Sequence, residues 1–203
     1  MTSHPNHSGI DRRVRRTQQL IIEAFLSLCI EKEYKEIIIK DITERANVNR
    51  STFYAHYEDK EHLLKSLTSE KLAQLAELPH SSASFRPSFD HTDPYYAALF
   101  EHLAANKLFY SVMLGKLQAS LFSDSMLQVI RESIYTRIAG ISKEQKLLIP
   151  LDFLLDYTSH SIHGMITTWF AQHMIYSPEH MSLQLTRLSL LGIYTAMGIT
   201  EAK

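Results

Sequence analysis

Apolar positions recur at steps of three and four residues through most of the chain, which is the pattern of amphipathic helices. The first predicted helix runs from about Arg13 to Glu33. The positions expected on its buried face are Leu20, Ala24, Phe25, Leu28 and Cys29. No strand-like alternation of useful length competes with this pattern. We therefore predict an all-α fold.

Two short helices and a tight turn are predicted next. The β-branched run 37–39 is followed by polar residues, which favours a helix start, and the second helix is predicted to end at about Ala46. Residues 47–49 read Asn-Val-Asn and are predicted to form the turn, because asparagine accepts the left-handed backbone conformation. A third helix is expected from about Arg50 to His56, with Ile42, Ala46, Val48 and Phe53 facing inward. This is the layout of a helix-turn-helix, whose second helix enters the major groove of DNA.

Longer helices are predicted for the remainder of the chain. A fourth helix runs from about Lys60 to Leu78, and a proline- and serine-rich linker follows from Pro79 to Pro94. The later helices are predicted at Tyr95–Asn106, Lys107–Gly115, Ser123–Gly140, Lys143–Tyr176 and Pro178–Met197. We expect a disordered tail at 1–10, a DNA-binding domain at 11–60 and a larger helical ligand-binding and dimerisation domain at 61–203. The fourth helix would connect the two domains.

A specific motif strengthens the helix-turn-helix prediction. Residues 49–57 read Asn-Arg-Ser-Thr-Phe-Tyr-Ala-His-Tyr, followed by Lys60-Glu61 and Leu63-Leu64. With residues 40–46 upstream, this motif resembles the recognition helix and neighbouring helices of the TetR family, over roughly the first third of the chain. The resemblance implies a three-helix DNA-binding domain followed by a variable helical domain. The chain departs from the usual family pattern at Glu33, Ile38, Thr43 and Asn47, where glycine, a Ser or Thr cap, alanine and glycine are usual.

The same residues supply the chemistry that DNA recognition needs. Arg50, Ser51 and Thr52 offer donors, acceptors and a methyl group to base edges, and the resemblance implies that Tyr54, His56 and Lys60 grip phosphates. The complete predicted DNA-binding set is Arg15, Arg16, Lys40, Thr43, Asn49, Arg50, Ser51, Thr52, Tyr54, His56 and Lys60. A solvated helix start is the alternative for the arginines at 12–16.

Net charge gives no global support for DNA binding, since the whole chain carries −1. The positive charge is concentrated at the front, where residues 1–60 carry +1 and the rest −2. The resemblance implies a transcriptional regulator, which we expect to be a repressor that binds an inverted-repeat operator as a homodimer and is released by an effector. An activator, or a protein-interaction module that has lost DNA recognition, is the alternative. An enzyme is disfavoured, because the chain has neither a nucleophile-elbow motif nor a glycine-rich phosphate loop.

The second predicted domain is rich in aromatic and methionine side chains. Most are expected in the core, and some would line an apolar pocket for a small apolar or aromatic effector. The predicted pocket residues are Phe100, Phe109, Met113, Met126, Tyr157, His160, Met165 and Trp169. The last two helices are nearly uncharged, and the resemblance implies a four-helix dimer bundle; packing within one subunit is the alternative. The predicted dimer residues are Ile162, Ile166, Phe170, Leu183, Leu190 and Tyr194.

Other chemistry is weakly indicated. Asp156, His160 and His163 lie at helical spacing, so a metal site is an alternative to histidines that line a pocket or interface. We predict no metal and no cofactor. The single cysteine, Cys29, is expected to be a core residue. The polar start of the chain and the three histidines within its longest uncharged stretch, Tyr157 to Pro178, predict a cytoplasmic protein without a membrane span.

Overall fold

The computed structural model describes residues 7–79, 90–117, 120–141, 147 and 149–196, with side chains described for 12–79, 90–117, 120–137, 147 and 149–192. The chain divides into two compact units, Met1–Glu70 and Lys71–Lys203. Helices dominate both units, which confirms the all-α prediction. Within the part of the chain that is described, no helix is long and apolar enough to cross a membrane.

The described part of the first unit contains three helices and most of a fourth. They are α1 (His7–Glu31), α2 (Ile39–Ala46), α3 (Arg50–Tyr54) and α4 (Lys60–Ala76), with a 3₁₀ turn at Tyr34–Glu36. Helix α1 begins six residues before the predicted start, so residues 7–10 of the predicted disordered tail are helical. The boundary between the units falls within α4.

The core of the first unit is formed by side chains that the helical pattern largely predicts. Phe25, Ile42, Phe53 and Leu63 are completely buried. Leu20 is not part of this core, because it is 42% exposed and the neighbouring Ile21 is buried instead. Ile21 lies four residues before Phe25 and therefore on the same face of α1, so it takes the place of Leu20 on a buried face whose other predicted members are buried as expected.

Within the described residues, the second unit contains five further helices. They are α5 (Pro94–Ala105), α6 (Lys107–Ser111), α7 (Ser120–Ile141), α8 (Leu151–Ala171) and α9 (Pro178–Ala196), with a π-helical turn at Val112–Lys116 between α6 and α7. Residues 80–89 of the predicted linker, and 143–146 and 148 of the predicted eighth helix, lie outside the described residues.

Helix α8 is shorter than the predicted Lys143–Tyr176. Pro150 immediately precedes it, and proline lacks the N–H that a helix interior requires. At the other end, His173 and Met174 adopt φ angles of 57° and 56°, which no right-handed helix contains. The indole Nε1 of Trp169 donates to the carbonyl oxygen of Tyr176 at 3.0 Å and fastens the chain after this break.

A buried ion pair ties the helices of the second unit together. The side chain of Asp93 caps α5 by accepting the Tyr95 N–H at 2.9 Å, and it pairs with the guanidinium of Arg137 from α7. The Asp93 N–H donates to the hydroxyl of Thr186 on α9 at 2.9 Å. Asp93 therefore links three helices, and the rings of Tyr95 and Tyr96 lie 4.8 and 5.0 Å from the Arg137 guanidinium carbon.

Candidate nucleic-acid interface

The turn between α2 and α3 has the left-handed geometry that the sequence predicts. Asn47 adopts φ 52° and ψ 47°, and its N–H is donated to the carbonyl oxygens of Thr43 and Glu44. Asparagine tolerates this conformation better than most residues that carry a Cβ. The sharp turn is therefore formed without the glycine that is usual in the family.

The N-terminus of α2 lacks a side-chain oxygen at its cap residue, Ile38, but a neighbouring carboxylate partly compensates. Asp41 Oδ2 accepts the Ile38 N–H at 3.3 Å and the Lys32 ammonium at 3.1 Å. The hydrogen bond from Lys32, followed by that from Ile38, lowers the pKa of Asp41. One half of a capping box is thus present, which reduces the cost expected from the missing Ser or Thr.

A two-pronged ion pair braces α2 against α1. Arg45 donates from Nη1 and Nη2 to the two carboxylate oxygens of Glu31 at 2.6 and 2.7 Å. The hydrogen bond from Arg45 lowers the pKa of Glu31. Because both side chains are substantially exposed, this ion pair contributes little to the free energy of unfolding, and its main effect is to orient α2 relative to α1.

Helix α3 presents a polar face and buries an aromatic anchor. Phe53 is completely buried, whereas Asn49, Arg50 and Ser51 are exposed and Tyr54 is 45% exposed. Arg50 Nη2 donates to the Tyr54 hydroxyl at 3.1 Å, and its guanidinium carbon lies 5.5 Å from the centre of the Tyr54 ring. The predicted base-reading residues Arg50 and Ser51 are therefore available on one surface.

A groove of about 550 Å³ with a mixed polar and apolar lining lies between the first half of α1, the turn and α3. Its lining residues are Arg13, Val14, Thr17, Asn47, Val48, Asn49, Thr52 and His56. The half-buried Thr52 and His56 face this groove, next to the exposed Arg13. Arg13 is missing from the predicted contact set, although its spacing of four residues from Thr17 places both on one face of α1.

Two of the predicted DNA contacts, Thr43 and Lys60, make hydrogen bonds within the protein. Thr43 is only 6% exposed and its hydroxyl donates to the Lys40 carbonyl oxygen at 3.1 Å, so the prediction that it meets DNA is wrong. Lys60 is half-buried, and its ammonium donates to the carbonyl oxygens of Tyr34 and Ile37, both at 2.9 Å. The ammonium nitrogen also lies 4.6 Å from the centre of the Tyr34 ring. Lys60 therefore secures the 3₁₀ turn, with one N–H left over from these two bonds.

The remaining predicted cations lie at the surface. Arg15 and Arg16 are exposed in the third turn of α1. Lys40 is 71% exposed and lies 3.7 Å from Glu44, one turn further along α2. An exposed pair of this kind contributes little to stability, so Lys40 can exchange its partner at small cost.

The predicted effector-pocket residues do not share one cavity. Phe100, Phe109, Met113 and Met126 are core side chains, with the Phe100 ring edge-on to Trp169 at 5.2 Å. His160, Met165 and Trp169 line a groove of about 380 Å³ beside α8, and Tyr157 lines a second one of about 370 Å³ between α5, α7, α8 and α9. As a single pocket, the prediction is wrong, because its aromatic residues pack on one another.

Three predicted dimer residues are internal to the second unit. Ile162, Ile166 and Phe170 are buried, with the Phe170 ring 5.9 Å from that of Tyr110, so their assignment to an interface is wrong. Leu183 is half-buried and Leu190 is 36% exposed. The side chain of Tyr194 lies outside those described.

The side of α8 opposite Ile162, Ile166 and Phe170 carries exposed apolar residues. Phe153 is 73% exposed and Tyr157 is 59% exposed, one turn apart. Gly164 continues this face, and a Cβ added there would meet no atom within 4 Å. Leu188 on α9 is also exposed. The sequence period identifies both faces of α8 as apolar, and it cannot tell which of them the rest of the subunit covers.

The histidines of α8 have partners other than a metal. His163 Nε2 lies 2.9 Å from the Ser123 hydroxyl, and burial followed by His160 lowers the pKa of His163. His160 Nδ1 lies 2.8 Å from the Asp156 carbonyl oxygen, while the Asp156 carboxylate accepts from Arg131 at 3.0 Å. Among the residues with described positions, no group of three or more His, Cys, Asp or Glu side chains is arranged to hold a metal ion.

Comparison with known protein families extends the resemblance beyond the motif. The profile described as "Bacterial regulatory proteins, tetR family" matches residues 21–67. A second profile, "Transcriptional regulator C-terminal region" of the TetR type, matches residues 90–190. The two matched regions correspond to the helix-turn-helix side of the chain and to α5 through most of α9.

Individual relatives agree with these profiles. The HTH-type transcriptional regulator YxbF of Bacillus subtilis (strain 168) is 45% identical over 67 residues, which are 32% of this chain and 18% of YxbF. The dhaKLM operon transcriptional activator DhaS of Lactococcus lactis (strain IL1403) is 28% identical over 99 residues, 46% of each chain. The matched part therefore spans less than half the length of either curated relative.

Solved structures cover far more of the chain. A TetR transcriptional regulator from Streptococcus agalactiae 2603V has 27% identity and a TM-score of 0.59, with 90% of this chain and 98% of that chain covered. The structure of the dihydroxyacetone kinase operon activator DhaS has 21% identity and a TM-score of 0.63, with 92% and 98% covered. Both similarities include the two units described above.

Proposed function

Because this chain belongs to the TetR family of transcriptional regulators, we propose that it binds an inverted-repeat operator as a homodimer and represses transcription from it in the cytoplasm. The observation that carries the proposal is the exposed polar face of α3 beside the groove that contains Arg13 and His56. In a helix-turn-helix protein, the helix in the position of α3 enters the major groove.

The proposed DNA contacts fall into two kinds. Asn49, Arg50 and Ser51 read base edges, because they are exposed at the start of α3. Thr52 is half-buried in the groove and contributes at its margin. The groove and its flanks grip the phosphates through Arg13, Arg15, Arg16, Lys40, Tyr54 and His56. Phosphate contacts of this kind release counterions, so affinity will fall steeply as salt rises.

The exposed face of α8 supports the homodimer. Phe153 and Tyr157 present large apolar surfaces to solvent, and Leu188 and Leu190 add to them from α9. Gly164 would let a second helix approach closely, since it has no side chain and no atom lies within 4 Å of its added Cβ position. We assign the subunit contact to this face, in place of Ile162, Ile166 and Phe170.

A small apolar or aromatic effector fits the groove that Tyr157 lines, where it would lie against the proposed subunit contact, because Tyr157 and Leu188 belong to both. Its volume of about 370 Å³ is within the range of small-molecule sites, and it combines leucines and isoleucines with Arg137 and several hydroxyl groups. The effector would favour a conformation in which the two α3 helices no longer match the operator spacing. A ligand that binds the protein without changing its operator affinity would contradict this part of the proposal.

Activation in place of repression is the second candidate. Its support is the similarity to DhaS, an operon activator, in both sequence and structure. A reporter gene placed behind the operator distinguishes the two, because deletion of the regulator raises expression if it represses and lowers expression if it activates.

The decisive experiment measures binding of the full chain to the DNA upstream of its own gene over a range of salt concentrations. The test variant combines Arg16→Ala with Tyr54→Ala, because both side chains are exposed. Lys60 is left unchanged, because its ammonium forms hydrogen bonds that hold the 3₁₀ turn. The control is Lys65→Gln, which also removes a positive charge from an exposed residue of the first unit, on α4.

The expected result is saturable binding by wild type and control with a steep loss of affinity as salt rises. The double variant should bind more weakly and with a salt slope shallower by about one unit, for the phosphate that Arg16 no longer neutralises, since Tyr54 is uncharged and its loss lowers affinity without changing the slope. Binding that is no stronger to the upstream region than to random DNA, in every salt concentration, would refute the proposal and favour a protein-interaction module.

A further inference from the structure

The recognition helix α3 carries a single charged side chain, Arg50, and that side chain is held in place by a neighbour. Its Nη2 donates to the Tyr54 hydroxyl at 3.1 Å, one turn further along α3. Its guanidinium carbon lies 5.5 Å from the Tyr54 ring centre, within the range of a cation–π contact. Both side chains are exposed, so the pair lies on the surface that would face the major groove.

Counting hydrogen-bond donors shows what this pair is able to recognise. A guanidinium has five N–H donors and no acceptor, and the bond to Tyr54 uses one of them. Guanine presents two adjacent acceptors, O6 and N7, in the major groove, and a guanidinium matches them with two parallel bonds. Adenine, in contrast, presents a donor beside its N7 acceptor, which Arg50 would meet with a donor of its own.

The Tyr54 hydroxyl is able to serve both kinds of contact at once. It accepts from Arg50, and its own O–H remains able to donate to a phosphate oxygen. An unrestrained arginine side chain loses rotamer entropy when it is fixed, and the contact with Tyr54 removes part of that loss before DNA arrives. Tyr54 would therefore couple the grip on the backbone to the position of the base-reading group.

We propose that Arg50 selects a guanine in each operator half-site and that Tyr54 is its positioning residue. This inference rests on the proposed function, since it assigns specificity to the same α3 surface. Within α3 itself, the exposed Ser51 next to Arg50 has a hydroxyl that both donates and accepts, so it discriminates poorly between bases. Arg50 is thus the residue of α3 with the strongest preference for one base.

The test is selection of binding sites from a randomised DNA library by the full chain and four variants. Arg50→Gln should change the preferred base at one position of each half-site from guanine to adenine, because a glutamine amide matches adenine N6 and N7. Arg50→Ala should lose the preference at that position, with a fall of roughly 5- to 160-fold in affinity for the guanine-containing site. Tyr54→Phe keeps the ring and should weaken the same preference without abolishing it. Lys65→Gln should leave the selected motif unchanged.

The three possible results separate this inference from the function on which it rests. A wild-type motif whose guanine depends on Arg50 supports it. A clear wild-type motif that is the same for Arg50→Gln and Arg50→Ala overturns the inference and leaves the operator-binding function intact. If the wild type enriches no motif, both are overturned. Unfolding curves for each variant exclude loss of fold, which is not expected at an exposed residue.

Discussion

Replacing Lys60 with methionine distinguishes a lysine that holds the fold from one that serves only to bind phosphate. The ammonium makes two hydrogen bonds of 2.9 Å to the carbonyl oxygens of Tyr34 and Ile37. Bonds from a charged donor contribute about 1.5–3 kcal/mol each, and the contact with the Tyr34 ring adds about 0.5–1 kcal/mol. Methionine keeps most of the packing of the lysine stem but makes none of these bonds.

The loss is smaller than the sum of these contributions because Lys60 is half-buried and water can replace it at the carbonyl oxygens. We expect Lys60→Met to lower the free energy of unfolding of the first unit by about 2–4 kcal/mol. Hydrogen–deuterium exchange of the full chain without DNA measures this directly. Slowly exchanging amides of α2 and the 3₁₀ turn should exchange roughly 30- to 900-fold faster, if exchange follows the opening equilibrium.

Lys40→Met is the matched control, since it makes the same chemical change at a side chain that is 71% exposed. Its exchange rates should correspond to a change within about 0.5 kcal/mol of wild type. If Lys60→Met is as stable as Lys40→Met, the structural role that we assign to Lys60 is refuted. The lysine would then act only in phosphate binding, as the family resemblance implies.

Three further predictions concern other parts of the chain. Asp93→Ala should lower the free energy of unfolding of the second unit by about 3–5 kcal/mol, measured through the fluorescence of the single tryptophan. The double variant Asp93→Asn, Arg137→Met should recover much of this loss. A loss below about 1 kcal/mol for Asp93→Ala would contradict the linking role of the pair. Gly164→Leu should leave the subunit folded, because its added Cβ meets no atom, yet weaken the dimer in analytical ultracentrifugation; an unchanged dimer would exclude this face. Burial raises the pKa of Cys29 to about 11 from 9.0, so the folded protein should resist thiol labelling at pH 8. Because burial disfavours the thiolate, the free energy of unfolding should fall as pH rises from about 9 through 11. Rapid labelling of the folded chain would contradict this prediction.

The sequence predicts the DNA-binding unit well because local features determine it. The turn needs one residue in the left-handed conformation, and asparagine at position 47 supplies it. Phe53 and Ile42 lie on the apolar faces of their short helices, and both are completely buried. The role of Lys60 was not predictable, because its partners Tyr34 and Ile37 are more than twenty residues away along the chain.

The second unit shows the limit of reasoning from the apolar pattern. Helix α8 is apolar on more than one side, so its period does not reveal that Ile162 faces inward and Tyr157 outward. That choice depends on the packing of α7 against α8 and of α5 against α9, which are contacts distant in sequence. For the same reason, composition favours Phe100 and Phe109 as pocket residues although they pack against other aromatic rings.

The proposed function depends on whether two copies of α3 read one operator. A hydroxyl-radical footprint of the full chain on its upstream DNA, combined with a measured stoichiometry, tests this most directly. We predict a two-fold symmetric footprint with protected half-sites about one DNA turn, or a multiple of it, apart, bound by chains in multiples of two. A footprint without symmetry, or saturation by one chain per site, would contradict operator binding by a dimer.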